Sequence, residues 1–190
     1  ELDEARRRLL YKLSEERARL PDRKEGDFPE PPRSVLVSHL PAINFSFQTA
    51  AQMTPELAAL CPECVYVPLE LLAEKPGVAD SFRENGAEIV AALPSAAFGE
   101  KEENELRTLL AKVHESGVTQ ALTGNLGLAM MAGQEGFRIR GDLDLAVMNG
   151  YTLSGLSSAG FLSAMLSPEL TFADIREIPK CMDTELAVYG

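Results

Sequence analysis

Residues 88–123, EIVAALPSAAFGEKEENELRTLLAKVHESGVTQALT, decide the fold class of this chain. The stretch begins and ends with short apolar runs, Glu88–Pro94 and Thr119–Thr123, which predict β-strands. Between them apolar residues recur at helical spacing over 102–115, and Gly117 is a residue type that commonly follows a helix end. A strand, a helix and a second strand in this order predict two parallel strands joined by a helical crossover.

The same alternation extends from this unit in both directions. Further short apolar runs predict strands at Val35–Ser38, Cys64–Pro68, Phe137–Arg140, Leu143–Met148, Phe161–Ser167 and Glu185–Tyr189. Further helices are predicted at 54–60, 125–135, 151–159 and 172–178. Several of the runs are almost continuously apolar, which is typical of parallel strands buried on both faces.

Two closures of such a sheet are open, a doubly wound sheet and a partial or complete TIM-like (β/α) barrel. No glycine-rich phosphate fingerprint follows the first predicted strand, which weakens the dinucleotide-binding version. The short repeat of roughly 20 to 25 residues favours the barrel. Ahead of it, residues 2–19 predict a helix, so we expect residues 1–32 to form a helix and linker and 33–190 a barrel domain.

The charge of the chain indicates which partners to expect, and its cysteine content indicates the compartment. Residues 25–190 hold ten basic and 23 acidic residues, and an acidic body of this kind is repelled by nucleic-acid phosphates and anionic lipid. We therefore expect no direct nucleic-acid binding and no membrane association. The three cysteines, Cys61, Cys64 and Cys181, give no disulfide framework, and this favours a cytoplasmic location.

Candidate functional residues follow from the rule that parallel α/β folds place their sites at the carboxyl ends of the strands. The side chains able to do chemistry at these ends are His39, Asp142 and Glu169, and we predict His39 and Glu169 as catalytic, together with Glu185 within the last predicted strand. Residues able to bind a substrate are Asn125, Arg138, Arg140, Asp142, Asn149 and Tyr189.

Most of these residues also have a structural interpretation. Asn125 fits the N-cap of the next helix, Asp142 and Asn149 fit turns, and His39 fits a loop. Glu185 is expected either to face a polar barrel interior, where Arg140 could pair with it, or to mark the exposed start of its strand.

The residues alone predict no particular reaction. No Ser–His–acid spacing and no His-Glu-x-x-His motif is present, and Cys61 and Cys64 cannot complete a tetrahedral metal site by themselves. We therefore predict no metal site, and we interpret the cysteines as structural thiols.

Three ordered segments carry a resemblance to a known family. GDLDLAVMN at 141–149, MLSPELT at 165–171 and TELAVYG at 184–190 resemble the collagenase-like U32 peptidase family. The resemblance implies barrel-mouth roles for Asp142, Asn149, Glu169 and Glu185. It further implies that this chain stops before the cysteine-rich stretch of that family.

The resemblance implies two chemistries. One is peptide-bond hydrolysis, and the other is hydroxylation of RNA bases or a quinone precursor by an iron–sulfur enzyme whose cluster ligands lie in the longer protein. A non-catalytic scaffold is the third reading. We expect no cofactor in this chain, little activity of the isolated chain, a peptide or RNA substrate engaged through other domains, and a homodimer as one way to cover an open sheet edge.

Overall fold

A computed structural model describes residues 2–20, 26, 29–33 and 41–189 of the chain. The chain divides into two compact units, Glu1–Glu30 and Pro31–Gly190. The first unit contains the helix α1, Leu2–Ala18, in which no residue is buried. The predicted strand Val35–Ser38 and the candidate His39 lie outside the described residues.

The second unit alternates strands with helices along the described chain. The strands are β1 Phe45–Ser46, β2 Cys64–Pro68, β3 Glu88–Ala92, β4 Gln120–Thr123, β5 Arg138–Gly141, β6 Ser163–Met165 and β7 Asp183–Glu185. The helices are α2 Pro55–Ala58, α3 Leu69–Glu74, α4 Asp80–Glu84, α5 Gly99–Glu115, α6 Leu126–Gln134, α7 Gly150–Ser158 and α8 Phe172–Glu177. Two short 3₁₀ helices lie at Ala50–Gln52 and Leu143–Leu145.

The seven strands form one parallel sheet in sequential order, from β1 at one edge to β7 at the other. The predicted α/β class with parallel strands, preceded by an N-terminal helix, is confirmed. Asn44, the residue before β1, donates a hydrogen bond to Glu185 of β7 at 2.8 Å, so the two edges of the sheet approach each other. The sheet therefore curves into a partial barrel.

The two faces of the curved sheet carry different side chains, because successive residues of a strand point to opposite faces. Outward residues such as Val65, Ile89 and Ala121 pack with helix residues such as Leu110 in the main core. Leu110 is fully buried, and burial of such a side chain stabilises the fold by roughly 1.5–3 kcal/mol. A smaller apolar cluster of Cys64, Tyr66, Val90 and Leu122, with Met165 against it, lies on the inner face.

Several strand and helix predictions need correction. The predicted strand Leu143–Met148 is wrong: a 3₁₀ helix occupies Leu143–Leu145, and Ala146 then adopts a left-handed conformation with φ of 47°. Only Val147 pairs in parallel fashion, in a single bridge to Leu166. The last strand ends at Glu185, so the predicted extension to Tyr189 is also wrong.

The strand β1 and the helices α3 and α4 were not predicted. The β1 strand has only two residues, which is too short to show a period. The α3 and α4 helices are also short, and each covers fewer than two turns. No helix in the described parts of the chain combines the length and apolar character needed to cross a membrane.

Candidate functional site

Glu185 is the centre of a polar network on the inner face of the barrel. Its Oε2 accepts hydrogen bonds from Asn44 Nδ2 at 2.8 Å and from the Tyr66 hydroxyl at 2.5 Å. Its Oε1 accepts from Ser163 Oγ at 2.6 Å and from Arg140 Nη1 at 3.1 Å. Four donors on four different segments therefore share one carboxylate.

These donors decide the charge state of the network. Burial alone would raise the pKa of Glu185, but the hydrogen bonds from Ser163, Tyr66 and Asn44, together with the charge of Arg140, lower it below its ordinary value of 4.5. Burial and the adjacent carboxylate raise the pKa of Tyr66 well above its ordinary value, so its hydroxyl keeps its proton and donates. Glu185 is therefore an anion at neutral pH with its acceptor positions occupied.

Arg140 holds the opposite side of the network. Its Nε donates to Gln120 Oε1 at 2.8 Å, and its Nη1 donates to Ser163 Oγ at 3.1 Å. The Arg140 and Glu185 side chains are 14% and 13% exposed, so the pair is largely desolvated. Glu185 was expected either to pair with Arg140 in the barrel interior or to mark the exposed start of its strand, and the structure shows the ion pair. Arg138, two residues earlier, is exposed at the start of β5.

A second group of polar residues lies at the carboxyl ends of β4 and β5. Asp142 directly follows β5, and its backbone N–H donates to the Thr123 carbonyl of β4 at 3.0 Å. Its Oδ1 accepts from the Leu143 N–H at 2.7 Å, which starts the 3₁₀ helix. Asp144 follows in that helix and lies so close to Gly124 that a Cβ on the glycine would sit 2.3 Å from the Asp144 Cβ.

The environment of Asp142 makes its carboxylate more basic than usual. Burial raises its pKa above the ordinary value of 3.8, and the charges of Asp144 and Glu185 act in the same direction. The hydrogen bond from Leu143 opposes this rise without cancelling it. No hydrogen bond from a described residue reaches Oδ2 of Asp142, so this oxygen can take part in chemistry.

Two predicted substrate-binding residues are helix caps. Asn125 caps α6, with Oδ1 accepting from the Gly127 and Leu128 N–H groups, and its Nδ2 donates to the Ser95 carbonyl at 3.1 Å. Asn149 caps α7, with Oδ1 accepting from the Thr152 N–H at 2.9 Å. The cap interpretation of Asn125 agrees with the sequence reading, and the turn interpretation of Asn149 is replaced by a cap.

Glu169 lies at the same rim as Asp142, in the loop after β6. Its side chain is exposed and makes no ion pair with the described residues, while its backbone N–H donates to Ser167 Oγ at 3.3 Å. Tyr189 is 98% exposed, beyond the end of β7. Glu169 and Asp142 are thus rim residues, Glu185 and Arg140 lie in the interior network, and His39 is outside the described residues.

The three cysteines occupy different surroundings. Cys61 is exposed, Cys181 is half-buried, and Cys64 is buried on the inner face. Burial raises the pKa of the Cys64 thiol to about 11, so it stays protonated. Among the described residues, no group of three or more His, Cys, Asp and Glu side chains is arranged to hold a metal ion. The iron–sulfur cluster expected outside this chain stays a prediction.

Sequence reasoning named Arg140 as a partner of Glu185 but missed the other members of the network. Asn44, Gln120 and Ser163 are polar residues without a recognisable spacing. Tyr66 carried a usable signal, because it is the one residue with a polar group in the middle of the run CVYVP. A buried tyrosine hydroxyl needs a hydrogen-bond partner, and here that partner is Glu185.

Comparison with known proteins gives a family match and distant structural likenesses. No curated protein sequence matches the chain. A solved structure described as D-psicose 3-epimerase with D-tagatose, from Clostridium cellulolyticum H10, is similar with a TM-score of 0.44 and 9% sequence identity. The likeness covers 70% of this chain and 68% of that one.

The family model described as Peptidase family U32 matches residues 72–190. This range is more than half of the chain and holds Asp142, Arg140, Glu169 and Glu185. It begins after Asn44 and Tyr66, so two donors of the interior network lie outside the matched part. On this match, the chain belongs to peptidase family U32.

Proposed function

We propose that this barrel hydrolyses peptide bonds at its carboxyl-end rim, with Asp142 as the general base. The observation that carries the proposal is a half-buried carboxylate of raised pKa, one oxygen of which accepts no hydrogen bond from the described part of the chain. A raised pKa makes a carboxylate a stronger base, and general bases of enzymes are commonly tuned in this way. The peptidase class comes from the family to which the chain belongs.

The proposed reaction needs only water and the substrate. Asp142 removes a proton from a water molecule while the water oxygen attacks the carbonyl carbon of the scissile bond. The tetrahedral intermediate then collapses, the C–N bond breaks, and the protonated Asp142 returns its proton to the leaving nitrogen. Asp142 is thereby regenerated as a carboxylate.

Glu169 supplies a second carboxylate to this proposal. It is exposed on the loop after β6, the strand next to β5, so it lies at the same rim as Asp142. An exposed carboxylate can accept a hydrogen bond from a main-chain N–H of a peptide. Glu169 would thus hold the substrate while Asp142 performs the proton transfer. We assign the interior Glu185 no step in the proposed reaction, because its acceptor positions are occupied.

The test compares isosteric variants in the full-length natural protein. Cleavage of gelatin and of a quenched fluorescent peptide is measured for wild type, Asp142→Asn and Glu169→Gln. We expect kcat to fall roughly 100-fold or more for Asp142→Asn, as for removal of a general base. For Glu169→Gln we expect mainly a higher KM.

Asp183→Asn is the matched control. Asp183 is an exposed aspartate at the start of β7, the end of the sheet opposite to the rim, so this variant should cleave at the wild-type rate. Wild-type kcat in Asp142→Asn would remove the proposed base. Equal loss in all three variants would point to damaged folding rather than to chemistry.

A further inference from the structure

The two oxygens of Glu185 serve two different sides of the barrel. Oε2 accepts from Asn44, just before β1, and from Tyr66 in β2. Oε1 accepts from Arg140 in β5 and from Ser163 in β6. The carboxylate of Glu185 in β7 therefore joins Asn44 and β2, at the first edge of the sheet, to the strands β5 and β6.

Asn44 is itself fixed to the first edge of the sheet. Its Oδ1 accepts from the Cys64 N–H at 3.0 Å, and the carbonyl of the preceding Ile43 accepts from the Glu63 N–H at 3.0 Å. Within the described residues, no backbone ladder joins β1 to β7. The closing contact between the two edges is thus made by side chains, through Asn44 and Tyr66 to Glu185.

We propose that Glu185 is an ionisable clasp: as an anion it closes the partial barrel, and when neutralised it lets the segment around Asn44 separate from β7. A neutral carboxyl or amide group offers fewer acceptor positions than a carboxylate, so it cannot satisfy all four donors. The donors on the Oε2 side, which hold the opposite edge, are the ones whose loss opens the barrel. This proposal is independent of the reaction assigned to Asp142.

Among the described residues, the charged and titratable groups around the clasp are few. Tyr66 and Cys64 face it from β2, and both keep their protons because burial raises their pKa. Arg140 faces it from β5 as a cation, and Asp142 at the end of β5 adds a negative charge. Asp142, whose pKa is raised, and Glu185, whose pKa is lowered, therefore both take up protons in acid, and of the two it is Glu185 that holds Asn44 and Tyr66.

The direction of the pH effect follows from the lowered pKa of Glu185. A carboxylate with a lowered pKa in the folded state stabilises that state above its ordinary pKa. The stabilisation is lost as the pH falls from about 4.5 through the lower value in the folded protein. In the wild type the clasp is closed at neutral pH and opens in acid.

The first test measures hydrogen exchange of single amides by NMR in wild type and Glu185→Gln at pH 7. The amides of Glu63 and Cys64 report on the edge, because they donate to Ile43 and Asn44. The Leu93 amide, which donates to the Leu122 carbonyl at 2.9 Å, reports on the centre of the sheet. We expect exchange at Cys64 and Glu63 to be about tenfold faster or more, with Leu93 unchanged, since a charged buried hydrogen bond is lost.

The second test reverses the sign of the pH effect. In Asn44→Asp two carboxylates face each other, so at pH 7 they repel and the clasp is open. Uptake of one proton lets the pair share a hydrogen bond and closes it. Protection of the Cys64 amide, corrected for intrinsic exchange, should therefore rise between pH 7 and pH 5 in Asn44→Asp and stay level in wild type. Asn104→Asp, which adds the same charge on the exposed face of α5, should behave as wild type.

Two results would overturn the clasp. One is unchanged exchange at Cys64 in Glu185→Gln, or equal acceleration at Cys64 and Leu93, which would mean uniform destabilisation. The other is a level or falling protection of Cys64 in Asn44→Asp as the pH drops from 7 to 5. If Glu185→Gln fails to fold, the pH dependence of Cys64 protection in Asn44→Asp tests the proposal by itself.

Discussion

At the scale of single residues, Arg140 shows how one position can look like a ligand-binding group and act as part of the core. The alternation in Phe137–Arg140 correctly predicted a strand that presents arginines on one side. The sequence could not tell whether Arg140 meets a ligand or an acid of the barrel, because its partner lies 45 residues away. Long-range pairing of this kind leaves no local pattern.

Arg140→Met is expected to destabilise the protein by about 3–5 kcal/mol, because it leaves Glu185 buried without its counter-charge. Unfolding in urea, followed by far-UV circular dichroism, measures the change. The double variant Arg140→Met/Glu185→Leu should lose less than the sum of the two single losses, since the unpaired charge is gone. Strict additivity of the single variants would show that the pair contributes no coupling energy.

Asp142→Asn is expected to raise the unfolding temperature slightly at pH 7 while it removes activity. A carboxyl group whose pKa is raised on folding binds its proton more tightly in the native state, so its ionised form costs stability at pH 7. The amide removes this cost and can still accept the Leu143 N–H bond. Calorimetry at pH 7 and pH 3 checks the sign: the gain over wild type should shrink at pH 3. A lower unfolding temperature at pH 7 would contradict the prediction.

At the scale of elements, the spacing of the apolar residues and the length of each run determined which strands and helices could be predicted from the sequence. The continuous run Cys64–Pro68 and the helical spacing at 102–115 have strong local signals, and both appear as β2 and α5. Leu143–Met148 failed because its alternation of apolar residues also fits a 3₁₀ turn capped by Asp142. The left-handed Ala146 that ends this turn has no sequence signature, since alanine rarely adopts that conformation.

Gly124→Ala should disturb the turn that carries Asp142. The added Cβ would lie 2.3 Å from the Asp144 Cβ and 3.1 Å from its Cα, so the backbone at Leu143–Leu145 must move. We expect a loss of about 1–3 kcal/mol in stability, typical of overpacking, together with reduced peptide cleavage.

Gly155→Ala is the matched control for this variant. Gly155 lies inside α7 with no atom within 4 Å of an added Cβ, so alanine should stabilise the protein by about 0.5–1 kcal/mol. Urea unfolding of the two variants side by side gives both values. Equal stability of Gly124→Ala and wild type would mean that the turn adapts freely.

At the scale of the whole molecule, the buried apolar residues of the described chain all lie between Phe47 and Met182. Removal of residues 1–30 is therefore expected to leave the free energy of unfolding of the second unit within about 0.5 kcal/mol of its original value. Urea unfolding of the shortened and original chains measures this difference. A loss of several kcal/mol would show that the first unit stabilises the second.

The sequential order of the seven strands has a consequence for how the chain acquires its shape on the ribosome. Each strand pairs with the one made just before it, so the sheet can grow as the chain emerges. Tyr66 and Arg140 are synthesised long before Glu185, their shared acceptor. Until β7 has been synthesised, Arg140 lacks the carboxylate with which it pairs in the folded barrel, and the synthesis of Glu185 supplies that counter-charge.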